Sequence, residues 1–244
     1  MFFFFFDQFV KFAEKYGIEI SIDELKAFEQ YLIQHPMLGT KNSVGEKLFE
    51  AIRRHKEASK GFILEKSSRT GNPIVLFRGR NRKSDFFKAF TSSEMWSPPA
   101  GYSSHGRYNA IGIPVLYLTD NIESIPYELH TADDEVVDIA TFHLERDIIL
   151  FDIGEFNSEF EGFFLNARTE SRLLKHSYLL PNFVGACCDF LGYDGVKFIG
   201  AHRTVLKYTN YALFHYENEV DISIVGDPVT FKQKNERRLE NRDF

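Results

Sequence analysis

Residues 97–118 read Ser97-Pro98-Pro99-Ala100-Gly101-Tyr102-Ser103-Ser104-His105-Gly106-Arg107-Tyr108-Asn109-Ala110-Ile111-Gly112-Ile113-Pro114-Val115-Leu116-Tyr117-Leu118, and a short segment then runs on to Glu128. The run Gly112–Leu118 has the length and the Gly/Pro bounds of a buried strand, with Tyr117 near its end. Gly106-Arg107-Tyr108-Asn109 is the polar loop that leads into it. Pro126 is tolerated in the first turn of a helix, so a helix starting near Ser124 carries Glu128 in an early turn. An arginine, a tyrosine and a carboxylate are thereby expected at one strand's exit.

Outward from this stretch, a strand Pro73-Ile74-Val75-Leu76-Phe77 leads upstream into Arg78-Gly79-Arg80, and residues 81–96 read as a loop or short helix able to cover a pocket. Downstream, Glu135–His143 and Asp147–Asp152 read as strands, 167–176 and about 181–191 as helices, and Gly192–Phe198 and Asn210–His215 each as a turn feeding a strand. Lys56–Asn72 is read as a polar linker. Before it, residues 7–58 show three amphipathic helices: Phe9, Phe12, Ala13 and Tyr16 recur at helical spacing, Ser21 with Glu24 forms a capping box, and Ser43 with Glu46 forms another. The expected organisation is a helical module at 1–60, a mixed-sheet α+β domain at 73–225 and a charged tail at 226–244. The helical module is either a partner-binding unit or a layer packed on the sheet domain. Met1 and the five phenylalanines after it are too few to span a membrane and are read as a terminal strand or helix turn docked on the core or on a second subunit.

The 244 residues, 43% of them hydrophobic and unusually rich in Phe (26) and Tyr (11), can supply a substantial core. A formal charge of −6 argues against broad binding to nucleic acid or anionic membrane, while a local basic pocket for a small anion stays compatible. The two cysteines, Cys187 and Cys188, are neighbours in an apolar run, which favours reduced buried thiols and a cytoplasmic setting. Eight scattered histidines without His-x-x-x-His or Cys-x-x-Cys spacing give no expected metal site. Neither a Gly-x-Gly-x-x-Gly nor a Walker loop occurs. Ser103-Ser104-His105 is a weak candidate for nucleophilic catalysis, because adjacent residues rarely face one another.

Read singly, Arg78, Arg80 and Arg107 suit either a surface ion pair or a bidentate grip on phosphate or carboxylate. Tyr117 suits a core aromatic or a substrate platform, and Glu128 a helix cap or a catalytic carboxylate. Together, the strand into Arg78, the Gly106-Arg107-x-Asn109 loop, the strand tyrosine, Glu128, the Tyr193-Asp194-Gly195 strand and the Asn210-Tyr211-x-Leu213-Phe214 strand resemble the RES domain family over residues 73–225. That resemblance implies an ADP-ribosyltransferase-like mixed sheet and a toxin-like enzyme that consumes NAD. It implies catalytic roles for Glu128, Arg78 and Tyr117, and NAD contacts by Arg78, Arg107, Tyr108, Asn109, Tyr117 and Asn210. It also implies an antitoxin protein that plugs the pocket, and a homodimer. The family's serine would fall just after Phe198, where this chain has Ile199, Gly200 and Ala201, and Thr204 is the nearest hydroxyl. Two rivals follow: a protein ADP-ribosyltransferase of the same fold, and an inactive NAD-binding or interaction module.

Overall fold

A computed structural model of the chain describes residues 3–59, 61–83, 88–132, 134–153, 176–200 and 206–232. Three helices come first, α1 (Phe3–Lys15), α2 (Ile22–Gln34) and α3 (Ser43–Ser59), as their apolar periodicity predicts. Gly17 breaks α1 from α2 at a φ of +71°. Ser21 and Glu24 form the expected capping box on α2. The start of α3 differs: the Asn42 side chain accepts from Val44 N at 2.9 Å and its carbonyl accepts from Glu46 N at 2.9 Å. Asn42 is as good an N-cap as serine, so the cap falls one residue earlier than the Ser43–Glu46 pattern suggests.

The strands are β1 (Phe62–Leu64), β2 (Val75–Lys83), β3 (Leu116–Thr119), β4 (Glu135–Leu144), β5 (Ile148–Asp152), β6 (Gly195–Ile199), β7 (Thr209–Leu213), β8 (Ile222–Ile224) and β9 (Val229–Phe231). They form one mixed sheet in the order β1-β5-β6-β7-β3-β2-β4-β8, with β9 also paired to β4. Among the described pairings only β5–β6 is parallel. The protein is thus α+β. Among the described residues, helix α4 (Ile125–Glu128) follows β3 and helix α5 (Leu179–Phe190) precedes β6.

Three expectations change. Lys56–Asn72 is not a linker: α3 runs to Ser59, and β1 pairs with β5 through Phe62↔Leu150. The strand expected over Gly112–Leu118 begins only at Leu116, because Gly112 sits at a φ of +84° and exchanges backbone hydrogen bonds with Gly101 and Ser103. The strand expected to end at Phe77 continues through Arg78 and Arg80 to Lys83, paired residue by residue with β4 from Val75↔His143 to Lys83↔Glu135. The expected helix at 167–176 lies outside the described residues but for His176, and Thr204 and the tail from 233 lie wholly outside them.

Strand alternation sorts the core onto two faces. Phe151, Val196, Phe198 and Ala212 face α1, α2, α3 and α5 and share one cluster with Phe12, Leu25, Leu48 and Val184. Their neighbours Leu150, Tyr211 and Leu213 join Leu76, Leu116, Leu118 and Phe142 on the other face. The N-terminal helices are therefore a layer on the sheet. Arg54 Nη1 donates to Tyr16 O at 2.8 Å, Lys56 Nζ donates to Gly192 O at 2.9 Å, and buried His55 pairs Nδ1 with the Tyr193 hydroxyl at 2.6 Å. Cys187 and Cys188 are both free and buried in α5, and burial pushes the Cys187 thiol up to about 12. No helix among the described residues is long and apolar enough to cross a membrane.

Candidate functional site

β2 and β3 pair only at Phe77↔Thr119. A cavity of about 390 Å³ opens beside that contact, lined by the consecutive residues Phe77, Arg78 and Gly79 of β2 and Tyr117, Leu118 and Thr119 of β3. Consecutive strand residues point to opposite faces, so the cavity occupies the split between the two strands rather than one face of the sheet. Glu128, Arg107, Asn109 and Asn210 are among the other polar residues of its wall.

Glu128 arrives on α4, whose approach to β2 depends on Gly79. A Cβ at that position would lie 2.2 Å from Ile125 Cγ2 and 2.9 Å from Leu129 Cδ1, so a larger residue would hold the helix off the strand. Glu128 Oε1 accepts from Asn210 Nδ2 at 3.0 Å and from the Tyr208 hydroxyl. Neither donor lies near Glu128 in sequence.

Arg78 is half-buried in mid-strand, with its Nε sealed from solvent and without a hydrogen-bond partner among the described residues. Burial, with the neighbouring Arg80 charge adding to it, pushes its pKa down to about 10, against opposing interactions with Tyr216 and Tyr117. It remains a cation at neutral pH, and among the described residues no carboxylate forms an ion pair with it. Arg80 is committed elsewhere: Nη1 donates to Glu94 O at 2.6 Å, and the guanidinium lies 4.0 Å from the Phe90 ring centre.

The Gly-Arg-x-Asn loop is tied down from within. Tyr117 donates its hydroxyl to Asn109 Oδ1 at 2.9 Å and accepts from Tyr108 N at 2.9 Å, while Asn109 Nδ2 donates to the carbonyls of Ser104, Ala110 and Ile113. A Cβ on Gly106 would fall 2.0 Å from Asn109 Oδ1, which accounts for the glycine of that motif. The Tyr117 hydroxyl and the Asn109 amide are thus consumed by the loop, and burial pushes the Tyr117 pKa upward. What Tyr117 offers a ligand is its ring. Arg107 lies over the Phe198 ring at 5.1 Å on the cavity wall.

Tyr108 departs from the expected set. It is buried in the core beneath the loop, against Phe198 at 4.9 Å, and is not among the lining residues. The other expected residues, Arg78, Arg107, Asn109, Tyr117, Glu128 and Asn210, line one cavity. Of the Ser-Ser-His triplet, His105 Nε2 pairs with Asn182 Oδ1 at 2.8 Å, and Ser103 lines the cavity with a buried hydroxyl lacking a described partner.

Sequence reading missed Tyr208, although a signal was present: Tyr208 and Asn210 are two residues apart in extended chain, so both side chains leave the same side. Among the described residues, no group of three or more His, Cys, Asp and Glu side chains could hold a metal ion. No family model, curated protein or solved structure matches the chain.

Proposed function

We propose that the protein binds NAD in the split between β2 and β3 and breaks the bond between nicotinamide and ribose, with water or inorganic phosphate as acceptor. The observation that carries this reading is the meeting of an unpaired, half-buried arginine and a doubly hydrogen-bonded glutamate on one ligand-sized cavity. Support for a RES-like, ADP-ribosyltransferase-like assignment comes from the motif residues, five of which share that cavity with Glu128.

Breaking the glycosidic bond sends its electron pair to the pyridinium nitrogen, so nicotinamide leaves neutral and no protonating acid is needed. The ribose is left with oxocarbenium character. Glu128 stabilises that charge through the oxygen not held by Tyr208 and Asn210. Arg78 and Arg107 bind the diphosphate and set the scissile bond against the carboxylate, and the Tyr117 ring packs against the ligand. Water adds at the ribose carbon and releases a proton to give ADP-ribose; phosphate adds to give ADP-ribose 1-phosphate.

Purified protein incubated with isotopically labelled NAD and cell lysate, then resolved by mass spectrometry, tests the reading. Free nicotinamide with ADP-ribose or its 1-phosphate is the expected product pair. Label on lysate proteins would mean transfer to a side chain, and intact NAD would refute cleavage. An enzyme of this kind endangers its own cell, so a protein inhibitor that fills the cavity is the partner expected, in the cytoplasm.

A further inference from the structure

Arg107 lines the cavity from the Gly-Arg-x-Asn loop, and the peptide groups on both sides of its Cα are held. Asn182 Nδ2, on α5, donates to Gly106 O at 2.9 Å and to Arg107 O at 2.8 Å. Tyr108 N, the other end of the second peptide group, donates to the Tyr117 hydroxyl at 2.9 Å. Peptide groups are planar, so holding the planes before and after Arg107 restrains its φ and ψ, and with them the direction in which its side chain leaves the loop. That direction carries the guanidinium over the Phe198 ring on the cavity wall.

The Asn182 amide can face this loop in one way only. Both carbonyls only accept, so Nδ2 faces them and Oδ1 faces His105, whose Nε2 therefore carries the proton donated across 2.8 Å. Gly185, one turn further along α5, lies on the same side of the helix, and a Cβ there would fall 2.7 Å from Tyr108 O. The neighbouring Phe183 packs instead into the helical layer, where its ring meets Phe28 at 5.1 Å and fills the space that a side chain on Gly39 would need. α5 thus has the N-terminal helices on one side and the arginine loop on the other.

We propose that Asn182 is a positioning residue: it is not among the residues that line the cavity, but its amide, braced by the helical layer, sets the direction in which Arg107 enters. The consequence for dinucleotide affinity rests on the proposed function, whereas the tie itself does not. The N-terminal helices thereby gain a part in the site through a residue outside the motif.

The test is calorimetric binding of ADP-ribose to the wild-type chain, to Asn182→Ala, to Arg107→Ala and to the double variant, with hydrogen exchange of the Tyr108 amide read on each protein without ligand. Asn182→Ala is expected to weaken ADP-ribose binding about tenfold, to weaken it no further once Arg107 is gone, and to speed exchange at Tyr108 severalfold. Equal losses with and without Arg107 would overturn the proposal by showing that Asn182 serves the fold at large, and so would unchanged ADP-ribose affinity. Failure of the wild-type chain to bind ADP-ribose would sink the dinucleotide reading and leave exchange to decide: a faster rate at Tyr108 upholds the tie, and an unchanged rate overturns it. Asn182→Leu keeps the side-chain volume without the hydrogen bonds, and takes the place of the alanine variant if that one does not fold.

Discussion

Glu128 owes its aim to two side chains that sequence places some 80 residues away, the Tyr208 hydroxyl and the Asn210 amide on its Oε1. Tyr208 is 4% exposed, and its ring lies where a side chain on Gly200 would stand, since a Cβ there would meet Tyr208 Cε2 at 1.9 Å. The space beside Gly200 is therefore filled by a tyrosine ring whose hydroxyl ends on the glutamate. Tyr208→Phe is expected to lower kcat about tenfold, as loss of a hydrogen bond to a charged group predicts, with KM nearly unchanged. Gly200→Ala displaces the same ring and is expected to cause a similar loss, and steady-state kinetics of the double variant should show little further decline. Additive losses would mean that the two residues act separately. That Glu128, Arg78 and Tyr117 line one cavity was foreseen from the motif residues taken together. Tyr208 was not: its spacing from Asn210 puts the two on one side of the chain, but nothing local shows that they meet Glu128 across 80 residues.

At the scale of elements, β2 is the strand on which the site depends, and its register is fixed by a buried carboxylate. Asp138 of β4 is 0% exposed and accepts from Arg82 Nε at 2.6 Å, Arg82 Nη2 at 3.2 Å, Thr230 Oγ1 at 2.6 Å and Phe90 N at 2.9 Å. It joins β2, β4 and β9 to the segment after β2. Burial alone would raise its pKa, but the Arg82 fork, the Thr230 hydroxyl and the Phe90 N–H outweigh burial and leave it lowered. A lowered folded pKa stabilises the fold above the unfolded value of about 3.9, and that stability is lost as pH falls through the folded pKa. Asp138→Asn is expected to cost about 3 kcal/mol at pH 7 by urea denaturation, and distinctly less once the pH falls below the unfolded value of about 3.9, where proton uptake by the unfolded chain removes part of the wild-type advantage. An equal cost above and below that value would show that packing, and not charge, makes this tie. The strands and helices with strong period were legible: α2, β4, β5, β6 and β7 stand close to their expected bounds. β1 was not, since Phe62-Ile63-Leu64 is too short a run to show alternation inside a polar stretch, and only its pairing with β5 makes it a strand. Arg78 falls in mid-strand for a related reason: polar Arg78–Lys83 reads as a loop until β4 supplies its hydrogen-bonding partner.

The whole molecule is a curled mixed sheet with a helical layer on one face, and the site lies in a flaw of that sheet. The helical layer shares its apolar cluster with β5, β6 and β7, which fixes the strands that carry Phe198 and Asn210 to the cavity wall. Composition foretold a sizeable aromatic core, and Phe12, Phe151, Tyr193 and His55 meet there at ring separations of 5.2–6.2 Å. Strand order was beyond sequence reading, because it is set by long-range pairing: β2 sits between β3 and β4, and β7 between β6 and β3. That order brings β2, β3, α4, β7 and the Gly-Arg-x-Asn loop around one space, and the account's central claim is that the space exists to cleave a glycosidic bond against Glu128. The most direct test compares NAD turnover and NAD affinity in the wild-type chain and in Glu128→Gln, which keeps the acceptor oxygen for Tyr208 and Asn210 while removing the charge. The account predicts that turnover falls at least a hundredfold while NAD affinity changes only modestly; undiminished turnover by the purified variant would contradict it.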